Sequence, residues 1–399
     1  MADKLRIGIV GGGIGGLVTA AALRESSHEV VVYEQAAQFR EIGAGVTLHP
    51  NATRLLDKLG FADVLKAIGA PTAGVRLMTT SGEAIQTGAP GGGKPLSNAG
   101  QGYNVHRAEF LDALVAAVPA ASLRLNHRLA SLSQDVDDVV LTFEDGTREH
   151  CDLVIGADGI RSAVRRSLDL DVPAVSEGVM AYRGMVPMSS LPWAQDARGL
   201  HLWMGAGRSF LCYPVSAGAT MNVVAFVPTN RDSAESWSSP GQVSELAAEF
   251  RGWDERVGQT IAALRETFVW GIYDRAALQS WTKGRVTLLG DAAHPMVPHL
   301  GQGAGQAIED AYTLGLLLEG ASTSNLTDRL AMYERLRHQR TACIQQVARQ
   351  AGAFYRQDFK SPAQRDAQLR SWAQDVGGIL EHDADAAVRI EMERAGWWL

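Results

Sequence analysis

The amino-terminal segment contains two short apolar runs separated by a glycine-rich turn and an apolar-periodic stretch. The runs LRIGIV (5–10) and EVVVYE (29–34) have the length and composition of buried strands. Between them, Ile14, Leu17 and Val18 recur at helical spacing. The pattern therefore predicts a strand, a turn, a helix and a second strand.

Similar apolar patterns return further along the chain. The runs CDLVIG (151–156) and RVTLLG (285–290) predict two more buried strands. The segment 302–320 has apolar residues at helical spacing, which predicts a helix with one buried face. These residues are Ala307, Ile308, Ala311, Leu314 and Leu318. The segment 326–355 predicts a long helix by the same argument, and its charge-rich face is expected to lie in solvent.

The segment 178–227 contains β-rich stretches bounded by glycine and proline, which predicts a sheet. Candidate pocket residues alternate along two of these stretches: His201, Trp203, Ser209, Leu211 and Tyr213. If their faces form the roof of a pocket, they supply aromatic walls and a few polar groups. A half-buried sheet face without ligand contacts explains the pattern equally well. Arg183 and Arg208 are candidates for binding a carboxylate, although surface arginines are common.

Three glycines in the first turn match the spacing of a dinucleotide-binding fingerprint. Gly11 makes the turn, Gly13 lets the backbone approach a pyrophosphate, and Gly16 lets helix and strand pack closely. The helix N-terminus would offer free N–H groups and a positive dipole end to the phosphates. Glu34, at the end of the second strand, can accept hydrogen bonds from a ribose and disfavours a 2′-phosphate. A purely structural glycine turn is the alternative.

Two further strands end in glycine and aspartate. Asp158-Gly159 follows the run 151–156, and Ser162 is placed to cap the next helix. Asp291 follows the run 285–290. Because ligands of α/β sheets collect beyond the carboxyl ends of the strands, the three strand ends predict one extended ligand that crosses them all.

Composition narrows the class of protein. The chain has 399 residues, 46% hydrophobic and 20% charged, as expected for a globular protein of two domains or one elaborated domain. A net charge of −7 without a Lys/Arg block argues against nucleic acid and anionic membrane as partners. The three cysteines are far apart and include no CxxC, which argues against a disulfide framework and fits a reducing cytoplasm. A strand begins by Leu5, which leaves no room for a signal peptide, and no apolar run reaches membrane-spanning length.

The stretch GDAAHPMVPHLGQGAGQAIEDAY (290–312) places two histidines in one turn before a predicted helix. His294 and His299 are five residues apart, with no cysteine and no third ligand in helical register. Metal ligands on helices favour closer spacing, so we expect no metal site here. The glycines that follow instead predict a backbone that lets a flat group approach closely.

These segments resemble a known family. GGGIGG with Glu34, GADG and GDAAHPMVPHLGQGAGQAIEDA are similar to the three signature regions of the class A (single-component) FAD-dependent aromatic monooxygenases. EIGAGVTLHPNATRLLDKLG, YNVHRAEFLDAL and GVMAYRGMVP extend the resemblance over most of the chain. The nearest branch contains salicylate hydroxylase, 6-hydroxynicotinate 3-monooxygenase and 3-hydroxybenzoate 6-hydroxylase.

The resemblance implies an α/β fold with a Rossmann-like FAD-binding domain of the glutathione-reductase and p-hydroxybenzoate-hydroxylase type. The implied FAD-binding domain is discontinuous and comprises 1–72, 103–177 and 275–325. A β-sheet substrate domain would comprise 73–102 and 178–274, with a C-terminal helical region at 326–399 packed on the FAD domain. The segment 88–102 is rich in glycine and is expected to be a flexible connection between the FAD-binding and substrate domains.

The resemblance also implies the residues that contact FAD. They are Gly11, Gly13, Ile14, Gly15, Gly16, Glu34, Gln35, Gly45, Val46, Arg107, Asp158, Gly159, Asp291, Gly301, Gly303 and Ala304. The N-terminus of the helix predicted in 302–320 would stabilise an anionic reduced flavin by its dipole, worth about 0.3–1 kcal/mol and up to about 2 kcal/mol when partly buried. The segment 41–45 would pass on the other side of the flavin ring.

The candidate catalytic residues are His299, Pro298, Thr47, Ser209, Tyr213 and His201. His299 is either a general base beside the flavin or a hydrogen-bonded loop histidine. Three positions depart from the family pattern. Relatives carry a histidine where this chain has Ser209 or Thr47, and many have a basic residue where this chain has Gln35.

The function that follows is an FAD-dependent hydroxylase that consumes NADH or NADPH, with NADH favoured, and O₂. It would insert one oxygen atom into a small phenolic or hydroxy-heteroaromatic acid through a flavin C4a-hydroperoxide. One alternative is a monooxygenase of the same fold that acts on a bulkier polycyclic or isoprenoid substrate. A non-catalytic nucleotide-binding protein is the alternative from another class. The enzyme is expected in the cytoplasm as a monomer or homodimer.

Overall fold

The computed structural model describes residues 4–39, 44–85, 100–195, 199–229 and 239–397. Its strands are β1 (Arg6–Val10), β2 (Glu29–Tyr33), β3 (Gly45–Leu48), β4 (Ala70–Pro71), β5 (Val75–Met78), β6 (Tyr103–His106), β7 (Leu123–Arg124), β8 (Leu129–Gln134), β9 (Val139–Phe143), β10 (Arg148–Cys151), β11 (Leu153–Gly156), β12 (Val175–Pro187), β13 (Leu200–Gly205), β14 (Arg208–Val215), β15 (Thr220–Pro228), β16 (Ser239–Gly241), β17 (Thr267–Asp274), β18 (Thr282–Lys283) and β19 (Val286–Leu288). Its helices are α1 (Ile14–Ala22), α2 (Pro50–Lys58), α3 (Ala62–Ile68), α4 (Arg107–Ala116), α5 (Ala163–Ser167), α6 (Val243–Glu249), α7 (Glu255–Ala262), α8 (Gly303–Leu318), α9 (Leu326–Tyr355), α10 (Pro362–Glu381) and α11 (Ala384–Arg394). The calls on 41–45 and on the connection at 88–102 fall for the most part outside the described residues.

The main sheet has the strand order β18-β19-β11-β1-β2-β7. β1 pairs in parallel with β2 and with β11, and β11 pairs in parallel with β19. The apolar runs 5–10 and 29–34 are β1 and β2, as predicted. Because β19, β11 and β1 are parallel neighbours, their carboxyl ends lie side by side at one edge of the sheet.

A second sheet has the order β16-β17-β12-β15-β14-β13-β5. One of its faces packs on α6 and α7, where Leu246 and Val257 join the same apolar cluster as Trp203 and Phe210. The other face packs on α9 near its C-terminal end. β3, β6 and β4 form a small sheet that contacts β14 of the second sheet. The second sheet therefore has one face toward the region that the predicted ligand would occupy.

Helix α8 differs from the prediction of a single buried face. It contacts α1, α2, α9 and α11, and residues on all its sides are buried, including Glu309 and Asp310. The apolar pattern alone did not show this, because the polar side is covered by α9 rather than by water. α9 itself carries the apolar face that was predicted, and it also buries Arg337.

Candidate active site

The turn after β1 has the geometry that the glycine pattern predicts. Gly11 has a φ of +111°, and its N–H donates to the Tyr33 carbonyl at 2.8 Å. A Cβ atom on Gly16 would lie 2.0 Å from the Gly11 carbonyl oxygen, whereas one on Gly13 would meet no atom of the described chain within 4 Å. The loop is therefore closed on its protein side and open where a pyrophosphate is expected.

The first residues of α1, Ile14 and Gly15, pack against the core, whereas Gly13 before them is open. Ile14 is buried, and a Cβ atom on Gly15 would lie 2.5 Å from a methyl group of Leu289. Gly13 is the N-cap of α1 and no side chain among the described residues caps this helix. Its first backbone N–H groups are therefore available to an anion.

Glu34 lies at the end of β2 and bonds to the glycine turn. Its carboxylate accepts hydrogen bonds from the Gly12 N–H and the Ala36 N–H, each at 2.8 Å. A carboxylate has about four acceptor positions, so two bonds leave capacity for a ribose hydroxyl. Gln35 is exposed beside it.

Asp158 and Gly159 follow β11. The Asp158 carboxylate accepts hydrogen bonds from the Ala163 N–H at 2.6 Å and the Val164 N–H at 3.1 Å, at the start of α5. Ser162 caps α5 by accepting from the Arg165 N–H at 2.9 Å, as predicted. Burial raises the pKa of Asp158, although these hydrogen bonds oppose the effect.

Asp291 follows β19 and faces a cleft. Its side chain is open to solvent, yet desolvation by the surrounding protein raises its pKa, a combination that describes a group at the bottom of a groove. The charges of His294 and Arg107 act on this carboxyl in the opposite direction. Arg107 begins α4, and its backbone N–H donates to the Ala44 carbonyl at 2.8 Å. The strand ends and the start of α4 thus lie around one groove.

The N-terminus of α8 opens on the same groove. Gly301 has a φ of +61°, and a Cβ atom on Gly303 would come no closer than 4.0 Å to Asp291. Helix α8 has no acidic residue in its first turn and no side-chain cap among the described residues. The first turn of α8, which includes Ala304, therefore contains no acid of its own to offset the positive end of the helix dipole.

Three of the predicted residues meet at the small sheet. The Thr47 hydroxyl donates to the Asn104 side-chain oxygen at 2.9 Å and lies close to the Tyr213 hydroxyl. The Gly45 N–H donates to the Asn222 side-chain oxygen at 2.8 Å. Val46, next to them, is half-buried on β3. Asn222 and Asn104 were missed in the sequence, because only the pairing of β14 with β15 and of β3 with β6 brings them here.

The two strand faces that were considered for a pocket roof lie on opposite sides of the second sheet. In the antiparallel register, His201 pairs with Cys212 and Trp203 with Phe210, on the face covered by α6 and α7. Ser209, Leu211 and Tyr213 alternate to the opposite face, toward α9 and Thr47. His201 therefore lies away from the groove, whereas Ser209 and Tyr213 lie on the side that faces it.

The two candidate arginines, Arg208 and Arg183, also lie on opposite faces of the second sheet. Arg208 pairs with Glu249 at 2.7 Å on the α6 side of the sheet. Arg183 is buried on the other side, with its guanidinium 5.4 Å from the Trp270 ring and 5.9 Å from the Phe268 ring. Only Arg183 therefore faces the side on which a ligand is expected.

His299, the candidate general base, is enclosed by protein in this structure. Its side chain has 0% of its surface exposed, and its ring packs 4.6 Å from the Phe226 ring, centroid to centroid. Nε2 lies 3.4 Å from Glu177 and 3.2 Å from Arg356, and burial lowers the pKa of the imidazole. These contacts are those of a hydrogen-bonded loop histidine, and the role of His299 as a general base stays a prediction. Its neighbour Pro298 is exposed.

Comparison with known proteins identifies the family. Residues 4–351 match the family described as FAD binding domain. The chain is 35% identical over 379 residues to a 3-amino-4-hydroxybenzoate 2-monooxygenase of Streptomyces platensis, covering 92% of this chain and 93% of the relative. It is 34% identical over 427 residues to a salicylate hydroxylase of Pseudomonas putida, covering 98% and 96%. The chain belongs to the FAD-dependent aromatic monooxygenases.

The fold comparison agrees with this assignment. A solved salicylate hydroxylase substrate complex superimposes on this monooxygenase with a TM-score of 0.83 and 28% identity, covering 97% of this chain and 98% of the other. The predicted fold class, family and enzyme class are thereby confirmed. The alternative of a non-catalytic nucleotide-binding protein is set aside.

Two observations bear on metals and membranes. In the described part of the monooxygenase, no group of three or more His, Cys, Asp and Glu side chains is arranged to hold a metal ion. His294 is instead bonded to Asp310, with 2.6 Å between Nε2 and the carboxylate. None of the described helices combines the length and hydropathy needed to cross a bilayer.

Sequence reasoning missed a buried charge cluster behind the groove, formed by Glu309 and Asp310 of α8 with Arg337 and Arg340 of α9. The Glu309 carboxylate is fully buried and accepts from Arg337, from Arg340 at 2.7 and 2.8 Å, and from Asn51 at 2.7 Å. Burial alone would raise the pKa of Glu309, but the two arginines outweigh it and hold the pKa well below its usual range. The cluster therefore consists of ionised groups.

Proposed function

We propose that this monooxygenase binds FAD along the groove at the ends of β1, β11 and β19 and hydroxylates a small phenolic or hydroxy-heteroaromatic acid. NADH is the reductant we favour, O₂ is the co-substrate, and the enzyme acts in the cytoplasm as a monomer or homodimer. The observation that carries the proposal is the opening of two uncapped helix N-termini, those of α1 and α8, on one groove. These are complementary to the two anionic parts of FAD, its pyrophosphate and its reduced ring.

The residues around the groove fit FAD. Space is open where contacts are predicted, since Cβ atoms on Gly13 and on Gly159 would each meet no described atom within 4 Å. The residues that would hold the cofactor are Gly11, Gly13, Ile14, Gly15, Gly16, Glu34, Gln35, Gly45, Val46, Arg107, Asp158, Gly159, Asp291, Gly301, Gly303 and Ala304. When bound, FAD would supply the electron transfer to O₂, and O₂ is the source of the oxygen atom that reaches the substrate.

We assign Tyr213 to the substrate hydroxyl. The single proton of the Thr47 hydroxyl is donated to Asn104, so the Tyr213 oxygen beside it keeps its lone pairs for another donor. Burial raises the pKa of Tyr213 above its usual value, so the phenol stays protonated at neutral pH. Tyr213 would accept a hydrogen bond from the substrate hydroxyl and thereby orient and enrich the ring without taking its proton.

We assign Arg183 to the substrate carboxylate. It is buried on the face of the second sheet that carries Tyr213, and the aromatic rings of Trp270 and Phe268 flank its guanidinium. Arginine binds a carboxylate with two parallel hydrogen bonds, which would align a planar acid. The resemblance implies a histidine in relatives at the positions of the neutral residues Thr47 and Ser209, so the substrate can differ from theirs.

The test begins with the purified protein. Bound FAD should give a yellow protein that NADH reduces faster than NADPH in the absence of O₂. Phenolic and hydroxy-heteroaromatic acids, including salicylate, 6-hydroxynicotinate and 3-amino-4-hydroxybenzoate, should be screened for faster NADH oxidation with an oxygenated product. Release of peroxide without product across the panel would count against a small acid, and turnover of a polycyclic or isoprenoid compound would favour the bulkier substrate class.

The role assigned to Tyr213 can be tested by substitution. Tyr213→Phe should lower kcat/KM for the best acid by about tenfold, the value of one hydrogen bond near 1.4 kcal/mol, while FAD stays bound. Tyr103→Phe, on the neighbouring strand β6, is the matched control and should behave as the parent. Unchanged kinetics in Tyr213→Phe would remove this residue from substrate binding.

A further inference from the structure

The buried charge cluster of Glu309, Asp310, Arg337 and Arg340 touches the loop that carries Asp291. One Asp310 oxygen accepts from the Gly290 N–H at 2.9 Å and from His294 at 2.6 Å. These two residues flank Asp291 in the sequence. Asp310 therefore holds the backbone just before a predicted cofactor contact and the side chain of a residue just after it.

The cluster also reaches the start of α8. The Gln302 side-chain oxygen accepts from Asn51 at 3.1 Å and from Gln306 at 3.0 Å, and Gln302 is the N-cap residue of α8. Asn51 and Gln306 both donate in turn to Glu309. Through these amides, the carboxylate of Glu309 is connected to the helix end that faces the groove.

Arg337 binds both acids at once. Its Nε donates to Asp310 at 2.7 Å, Nη1 donates to Glu309, and Nη2 donates to the Gln306 side-chain oxygen at 2.7 Å. Its side chain is 2% exposed, and those of both acids are 0% exposed. The planar guanidinium of Arg337 can donate to both acids and to the amide at once. Removal of Arg337 would leave a buried carboxylate without a compensating charge.

We propose that Arg337 is a positioning residue for the cofactor: it fixes the loop around Asp291 and the N-terminus of α8 through Asp310 and Glu309, so that α9 determines the affinity for FAD. The inference rests on the proposed placement of FAD in the groove. Arg337 itself lies behind that groove and acts only through the two acids. Glu309 and Asp310 carry two negative charges that Arg337 and Arg340 balance, so loss of Arg337 leaves one surplus negative charge behind the site of an anionic ligand.

The experiment measures FAD binding to apoprotein by quenching of flavin fluorescence, together with the visible spectrum of the bound flavin. Arg337→Met should raise the Kd for FAD by about tenfold or more and shift the flavin absorption bands. The double variant Arg337→Met/Glu309→Gln removes the surplus charge and should recover much of the affinity. Arg335→Met is the matched control, because Arg335 lies on the same helix with 58% of its side chain exposed, and its Kd should stay within about twofold.

Arg337→Lys covers the case in which Arg337→Met does not fold. Lysine keeps the charge but cannot bind two acids and an amide in one plane, so an intermediate Kd and a smaller spectral shift are expected. If a folded variant at position 337 binds FAD with the parent's Kd and spectrum, and only its unfolding temperature falls, the cluster merely stabilises the fold and the inference is overturned. Failure of the proposed function would differ, since the parent protein itself would then bind no FAD or hydroxylate no acid.

Discussion

Among single residues, His201 determines part of the pH dependence of stability. Both of its ring nitrogens are buried, with no hydrogen-bond partner in the described part of the chain, and its ring lies 5.6 Å from Trp193 and 6.2 Å from Trp203. Burial, with smaller contributions from Arg76 and Arg256, lowers the pKa of His201 to about 4. The folded protein therefore holds this histidine neutral, whereas the unfolded chain protonates it below its ordinary pKa of about 6.5.

The sign of the effect follows from linkage. Because the pKa is lower in the folded state, the stability contributed by neutral His201 is present above about pH 6.5 and is lost as the pH falls toward 4. Between pH 7.5 and pH 5.0 this group should cost about 2 kcal/mol. His201→Phe keeps an aromatic ring and should reduce the loss by that amount, as measured by urea unfolding at both pH values. An equal loss in parent and variant would show that His201 does not remain neutral.

Among elements, the β1–turn–α1 unit distinguishes the glycines needed for folding from those expected to serve ligand binding. Gly13 has a φ of −78°, which alanine tolerates, and its missing side chain leaves space open. Gly16 has no such space, because the Gly11 carbonyl lies where its Cβ would be. One turn therefore contains a glycine required by the protein backbone and another expected to serve the cofactor.

The two glycines should respond differently to the same substitution. Gly13→Ala should leave the unfolding free energy of the apoprotein within about 0.5 kcal/mol, while FAD binding weakens severalfold because a methyl group enters the pyrophosphate space. Gly16→Ala should destabilise the apoprotein itself by about 1–3 kcal/mol through overpacking. Thermal unfolding without FAD and FAD titration measure the two effects. Normal FAD affinity in Gly13→Ala would move the pyrophosphate elsewhere.

Some features of the elements could be predicted from the sequence pattern alone. The buried strands β1 and β2 and the cap at Ser162 follow from local spacing, and all were predicted. The face of His201 was not, because alternation along one strand says nothing about the register with its neighbour. The enclosure of His299 depends on Glu177 and Arg356, which lie far from it in the sequence.

For the whole molecule, the main gap in prediction concerns buried charge. The charge-rich face of α9 was expected in solvent, since charged residues are usually exposed, and burial of Arg337 was not foreseen. Its burial becomes predictable only once α9 is known to cover Glu309 and Asp310 on α8, a contact between segments that no local pattern specifies. The position of the groove was predictable, because glycine and aspartate after an apolar run indicate the carboxyl end of a buried strand, where ligands of α/β sheets bind.

The enclosure of His299 has a consequence for how the chain is made. A Cβ atom on Gly352 would lie 2.2 Å from the His299 ring, and Arg356 bonds to the same ring, so the histidine is fitted against the last turns of α9. During synthesis on the ribosome, His299 emerges well before those turns exist. The contacts between the loop that precedes α8 and the last turns of α9 can form only after residue 356 has left the exit tunnel, so a nascent chain completes this part of the fold late.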